Sequence, residues 1–336
     1  LEWRWAEIRT EESSSDAKVL PEPYYTSLIF VAIILSTVVL ITIAGNILVL
    51  TAVGTSQRLK QRKSTSFIVS LACADLLMGV VIMPGYLSTT FHGYWHFGRF
   101  LCQLYYLATL LSITASINTL CVIAIDRYVA ITSPLRYESL LNFSRVRILI
   151  VTVWVVSTLL STPSLQISKW GSKSSEAIAC YEDPTCCEFL MNKEYTITFT
   201  IVTFFCPLVV MILVYVRVCV RKAASSAAES RNNTTNAQNQ QVSASERRAI
   251  KALGLIMGVF TLCWFPCFVL VLMQAFCNYC IPDKLYVTTV WFGYSNSALN
   301  PILYSRSPDF LAAYKRVLLF VDDTNKTYDR IYVEIM

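Results

Sequence analysis

Seven long apolar stretches govern what this chain can fold into. They lie at about 27–53, 66–88, 101–125, 147–168, 194–219, 250–276 and 285–305. A helix needs about 20 mostly apolar residues to cross the hydrocarbon core of a bilayer, and each stretch reaches that length. The seventh is the weakest, because Asn296, Ser297, Asn300 and Ser305 dilute it. Of the 336 residues, 55% are hydrophobic and 15% charged, against about 25% charged in soluble domains. The expected fold is one all-α membrane domain, a seven-helix bundle over 27–305, with no window that reads as a cleaved signal peptide.

Charge orients the bundle. Arg58, Lys60, Arg62 and Lys63 crowd the first connection, Arg127, Arg136, Arg145 and Arg147 the third, and Arg217, Arg221, Lys222, Arg231, Arg247, Arg248 and Lys251 the fifth. Basic connections face the cytoplasm, which places the N-terminus outside a plasma-membrane protein. The net charge of +6 then reflects topology, and no stripe or fold suits nucleic acid. Six of the 12 cysteines (Cys102, Cys180, Cys186, Cys187, Cys277 and Cys280) fall on the expected outer side, where disulfides form. A zinc site from Cys180, Cys186 and Cys187 competes weakly with that reading. The other six cysteines read as small buried hydrophobes.

Residues 1–26 are polar and acidic, and read as a short extracellular tail. Residues 223–245, rich in Ala, Ser, Asn and Gln, read as a low-complexity cytoplasmic loop. The sequons at Asn142, Asn232 and Asn233 would then face the cytoplasm. Phe310, Leu311, Tyr314 and Leu318 recur at helical spacing within 306–320, which suggests an amphipathic helix on the inner membrane surface, followed by a cytoplasmic tail at 321–336. No internal repeat is visible, which argues against transporters built by duplication. His92 and His96, the two histidines of the chain, sit beside Trp95 in an outer loop; a plain loop role is the simpler reading, a metal site the alternative.

Polar residues inside membrane spans are costly and mark function. Asp75 lies mid-span, and Asp126-Arg127-Tyr128 closes the third span with adjacent opposite charges. Such a pair can act as a latch, closed on itself at rest and released to a partner. Cys-Trp-Phe-Pro at 263–266 and Asn-Ser-Ala-Leu-Asn-Pro-Ile-Leu-Tyr at 296–304 complete the pattern. With these motifs the chain resembles rhodopsin-like (class A) G-protein-coupled receptors over about 28–320. Within that class it is similar to the aminergic receptors, and its wording at 126–134, 180–189, 258–264 and 306–310 to the beta-adrenergic branch.

The resemblance implies roles. Asp75, Ser112, Ser116, Asn296 and Asn300 would form a sodium site that stabilises the inactive state, with Ser297 and Trp264 nearby; a structural hydrogen-bonding acid is the alternative for Asp75. Arg127 would pair with Asp126 and with Glu246, although Glu246 also reads as a surface acid. Tyr215 and Tyr304 would swing in on activation. Ile117, Pro207 and Phe260 would form a packing switch, and Pro266 would kink the sixth helix. Leu135, after Pro134, would enter a G-protein groove or simply face the bilayer. Implied disulfides are Cys102–Cys187, Cys180–Cys186 and Cys277–Cys280.

The chain departs from the aminergic pattern in the pocket. The ammonium-binding acid of the third span is replaced by Thr109, and no Asp or Glu lies between Cys102 and Asp126. Phe199, Thr200 and Thr203 stand where the fifth span should offer serines. Cys267 and Phe268 stand where two phenylalanines are usual, and Val271 and Val290 replace asparagines, while Tyr294 is kept. The implied pocket of Thr109, Leu110, Ile113, Thr114, Phe189, Phe199, Thr200, Thr203, Trp264, Phe268, Val271, Val290 and Tyr294 suits a neutral ligand, or is filled by its own side chains. Glu188 is the nearest replacement acid. A retinal pigment is excluded, since its Schiff-base lysine position holds Tyr294.

The expected function is therefore non-enzymatic signalling to a heterotrimeric G protein of the stimulatory, cyclic AMP-raising type, by population shift between inactive and active bundles. The expected partners are that G protein, a small neutral ligand and the lipid bilayer. No cofactor is implied beyond sodium as an allosteric ion. A ligand-independent receptor or partner subunit, a low-affinity biogenic amine receptor, and a seven-span channel or transporter are the alternatives.

Overall fold

The computed structural model describes residues 22–133, 137, 139–166, 169, 171–188, 190–231, 237–277 and 280–319; for 22–28, 176, 222, 224–231, 237–250, 252–253 and 283 it describes the backbone alone. The first span is α1 (Glu22–Thr55), joined by the single turn α2 (Gln57–Lys60) to the second span. That span runs through α3 (Lys63–Leu77), a π turn (Met78–Ile82) and α4 (Met83–His92). The third span is α5 (Gly98–Thr132) and the fourth α6 (Phe143–Ser161), followed by a 3-10 turn (Thr162–Leu165). The connection between the fourth and fifth spans, expected to be an outer one, carries α7 (Ser175–Glu182). The fifth span is α8 (Lys193–Thr200), a π turn (Ile201–Phe205) and α9 (Cys206–Arg231). The sixth, seventh and surface helices are α10 (Ala237–Cys277), α11 (Asp283–Tyr304) and α12 (Pro308–Leu319).

Among the described residues, six helices are long and apolar enough to cross a membrane; α11, the polar seventh, is the one left out. The helices close into a ring. α1 packs on α3 and α11, α10 on α8 and α11, and α5 sits centrally against α3, α6, α9 and α10. Large apolar side chains point both ways. Phe67, Ile117, Phe204 and Phe260 are buried, whereas Ile33, Ile148, Leu159, Val209 and Leu262 are exposed in a manner suited to lipid.

Helix α1 begins at Glu22, inside the expected tail of 1–26, and its apolar span at Ile29. Two expectations need correction. The fourth span starts at Phe143, since the Asn142 side chain accepts from the Arg145 amide at 2.8 Å and caps it. Its α-helix ends at Ser161, and a 3-10 turn around Pro163 carries the span to Leu165, a little short of the expected 168. The expected loop at 223–245 is helical through Arg231 and again from Ala237; its Ala, Gln, Glu and Arg are strong helix formers.

Two prolines explain the π turns. Pro84 and Pro207 carry no amide hydrogen, so the backbone ahead of each takes the wider turn. In α12, Phe310, Ala313 and Tyr314 face the bundle, while Leu311, Leu318 and Leu319 stay exposed. Asp309 anchors this helix by ion pairs to Arg58 (3.0 Å) and Arg62, on the first inner connection.

Candidate functional site

Three polar layers run along the bundle. At the inner end, Asp126 is buried, and Arg127 Nε donates to its Oδ2 at 2.8 Å, with Nη2 donating to the same oxygen. The Tyr137 hydroxyl donates to the other carboxylate oxygen at 2.9 Å and lies 3.4 Å from Arg127 Nη2. Tyr137 stands beyond the end of α5 and is not among the residues singled out from the sequence; nothing in its spacing announces the contact. Tyr128 is half-buried beside them. The Tyr215 ring lies against Gly254 of α10, where a Cβ would sit 2.7 Å from its Cζ. Tyr304 is buried, its hydroxyl has no hydrogen-bond partner among the described residues, and its ring lies 5.7 Å from that of Phe310. Pro134, Leu135 and the Glu246 side chain lie outside the described residues, so the second half of the latch is not placed.

At mid-membrane, Asn300 Nδ2 donates to Asp75 Oδ2 at 2.8 Å. Ser112 donates to the Ala74 carbonyl at 2.7 Å. Asp75, Ser112, Ser116, Asn296, Ser297 and Asn300 are all buried. Asp75 Oδ1 and Asn296 Oδ1 have no hydrogen-bond partner among the described residues. Orphaned hard oxygens of this kind fit a small hard cation. Asn46, also missed from the sequence, donates to the Ser297 carbonyl at 3.0 Å and ties α1 to this layer; a lone Asn in an apolar span was the signal. Ile117 and Phe260 lie in the same apolar core below, with Pro207 half-buried.

The outer layer is closely packed. Thr109, Leu110, Ile113, Thr114, Thr200, Thr203, Trp264, Phe268, Val290 and Tyr294 are buried, and Phe199 and Val271 half-buried; Phe189 lies outside the described residues. Three hydroxyls of the expected pocket are turned back onto their own helices. Thr109 donates to the Tyr105 carbonyl at 2.8 Å, Thr114 to Leu110 at 2.7 Å and Thr203 to Phe199 at 2.7 Å. Phe204 stacks on Phe268 at 4.2 Å, and Tyr86 meets Tyr294 edge-on at 5.8 Å. Above this layer opens a cavity of about 260 Å³, lined by Arg99, Gln103, Tyr106, Tyr181, Glu188 and Met191 among others. Tyr181 donates to the Leu190 carbonyl and accepts from the Ser172 amide at 3.1 Å; burial pushes its phenol pKa up. The disulfides are Cys102–Cys187, Cys180–Cys186 and Cys277–Cys280, the pairs that the resemblance implies.

The profile of the 7 transmembrane receptor (rhodopsin family) matches residues 45–304. The D(1B) dopamine receptor of Xenopus laevis is 33% identical over 306 residues, covering 82% of this chain and 67% of that receptor. The Carassius auratus D(1) dopamine receptor is 34% identical over 315 residues, covering 84% and 86%. The histamine H2 receptor of Canis lupus familiaris is 35% identical over 291 residues, covering 86% and 79%. The chain belongs to the rhodopsin family of seven-transmembrane receptors, in its aminergic class. It is a multi-pass membrane receptor coupled to G proteins, and not an enzyme.

Proposed function

We propose that this receptor signals through a stimulatory, adenylyl cyclase-activating G protein in response to a neutral or weakly polar small molecule. Its N-terminus is extracellular on this reading, and the basic connections meet the G protein. The observation that carries the ligand class is Thr109. It occupies the aminergic acid's position, is buried, and has its hydroxyl donated to the Tyr105 carbonyl. Loss of one partner of a buried charge pair costs about 2–5 kcal/mol, which at roughly 1.4 kcal/mol per decade weakens amine binding by about 30- to 4000-fold. The relatives are named for dopamine and histamine, which supports an amine-receptor scaffold; the different pocket chemistry is the proposal.

The paired Asp126–Arg127 arrangement is the resting latch, and activation is a population shift that frees Arg127. The orphaned oxygens of Asp75 and Asn296 support sodium as an allosteric ion of the resting state; Ser112, Ser116 and Asn300 complete its surroundings. A second reading, ligand-independent signalling, is favoured by the close aromatic packing of the outer layer. Cyclic AMP in cells expressing the chain, with and without biogenic amines and beside Thr109→Asp, separates these readings. Silence to amines until Thr109→Asp is introduced supports the neutral pocket. A response of the unmodified chain at ordinary amine concentrations overturns it and moves attention to Glu188. A high basal level, indifferent to bulky residues at Thr109 or Phe199, favours the ligand-independent reading.

A further inference from the structure

The two histidines of the chain are brought together at the outer end of the second span. His92 is the last residue of α4, which Gly93 terminates in the left-handed conformation at φ 72°. Its Nδ1 lies 2.9 Å from the Ser88 carbonyl oxygen. A carbonyl can only accept, so Nδ1 carries the hydrogen and Nε2 is left with a bare lone pair. Metal-ligating histidines characteristically donate their second nitrogen to a backbone carbonyl in this manner. His96 follows one turn of loop later, its ring centroid 4.7 Å from that of His92 at an interplanar angle of 86°. Two imidazoles sharing one ion at nitrogen–metal distances of about 2.0–2.1 Å have centroids about 4.5–5.2 Å apart for near-square to tetrahedral angles. The observed spacing falls within that range.

The loop that holds His96 is built, not loose. Trp95 is buried, its indole donates to the Gly98 carbonyl at 2.9 Å, and its amide donates to the Thr185 carbonyl of the outer connection at 2.7 Å. The Tyr94 ring packs on His96 at 4.3 Å. Both histidines are exposed, so an ion can arrive from outside and the His96 ring can turn to present its own nitrogen. No group of three or more His, Cys, Asp or Glu gathers among the described residues, so water would complete the coordination sphere. Two imidazoles with water make an exchangeable site, and imidazole donors select zinc or copper over magnesium and calcium.

We propose that His92 and His96 form an extracellular zinc- or copper-binding site that clamps the end of the second span to the loop anchored on the outer connection. The test uses the full chain, purified in detergent without a polyhistidine tag and melted across a ZnCl2 titration, with MgCl2 as the oxygen-preferring control. Cu2+ electron paramagnetic resonance reports nitrogen ligation directly. The unmodified receptor should melt higher with zinc and not with magnesium, and its Cu2+ spectrum should show two coordinated nitrogens. His92→Gln and His96→Gln, both exposed and expected to fold, should each weaken the zinc effect at least about tenfold. A double variant whose zinc shift and copper spectrum match those of the unmodified chain overturns the proposal, as does an unmodified chain that zinc leaves unchanged.

Discussion

At the residue scale, the proposed latch at Asp126 and Arg127 is a three-group cluster rather than a pair. Asp126 accepts from Arg127 through one carboxylate oxygen and from Tyr137 through the other. A hydrogen bond to a charged group contributes about 1.5–3 kcal/mol, so Tyr137→Phe should loosen the cluster and raise basal cyclic AMP by about tenfold or more. On the proposed mechanism Arg127 is the group offered to the G protein, so Arg127→Ala should silence signalling. The two variants together tell release of the latch from its loss. On the proposed neutral pocket, Thr109→Asp should raise amine affinity by about 30- to 4000-fold, read as a shift in the dose-response of cyclic AMP. Asp126, Arg127 and Asp75 were legible as costly charges in an apolar chain. Tyr137 was not, because its hydrogen bond to Asp126, 11 residues away in the chain, exists only in the folded protein.

At the scale of elements, close approach between helices depends on absent side chains. Gly293 of α11 lets Trp264 of α10 lie flat against it, since a Cβ there would fall 2.8 Å from Trp264 Cε3. Gly293→Ala must therefore push a rigid ring rather than the end of a flexible chain. It should cost about 1–3 kcal/mol and alter signalling, checked by melting temperature and by basal and stimulated cyclic AMP. The surface helix shows the converse. Asp309 is held by Arg58 and Arg62, whose side chains are 77% and 50% exposed. Such solvated pairs are worth about 0–1 kcal/mol each, so Asp309→Ala should free the start of α12 with little change in global stability. The amphipathic spacing of α12 could be read from the chain, but which apolar residues face the bundle could not: Phe310 and Tyr314 are buried while Leu311 and Leu318 are not.

At the scale of the whole molecule, the outer surface is stapled and the interior is layered. Cys102–Cys187 joins the third span to the outer connection across 85 residues. Loss of a native disulfide closing a loop of that length costs about 2–5 kcal/mol. Cys102→Ser should lower the melting temperature and surface expression, more than any substitution at the exposed Cys73 or Cys219. The same connection carries Thr185, which accepts from the Trp95 amide, so reduction should loosen both outer loops together.

The apolar lengths, the basic inner connections and the polar residues inside spans are properties of the chain itself. They determined the class of fold and the membrane topology expected of it, because the bilayer penalises every polar group by the same physics wherever it sits. Thr109, at the position where the resemblance implies an acid, was likewise legible in the sequence alone. What only the tertiary structure decided is how those groups meet. Thr109, Thr114 and Thr203 could have faced a ligand, yet each hydroxyl is donated to its own helix. Asp75 could have had both oxygens satisfied, yet Asn300 meets only one, and the other, like Asn296 Oδ1, has no hydrogen-bond partner among the described residues. His92 and His96 could have pointed apart, yet a helix end and an anchored tryptophan bring them within reach of one ion. Hydrogen bonds and packing act over a few ångströms, and only the folded chain sets those distances.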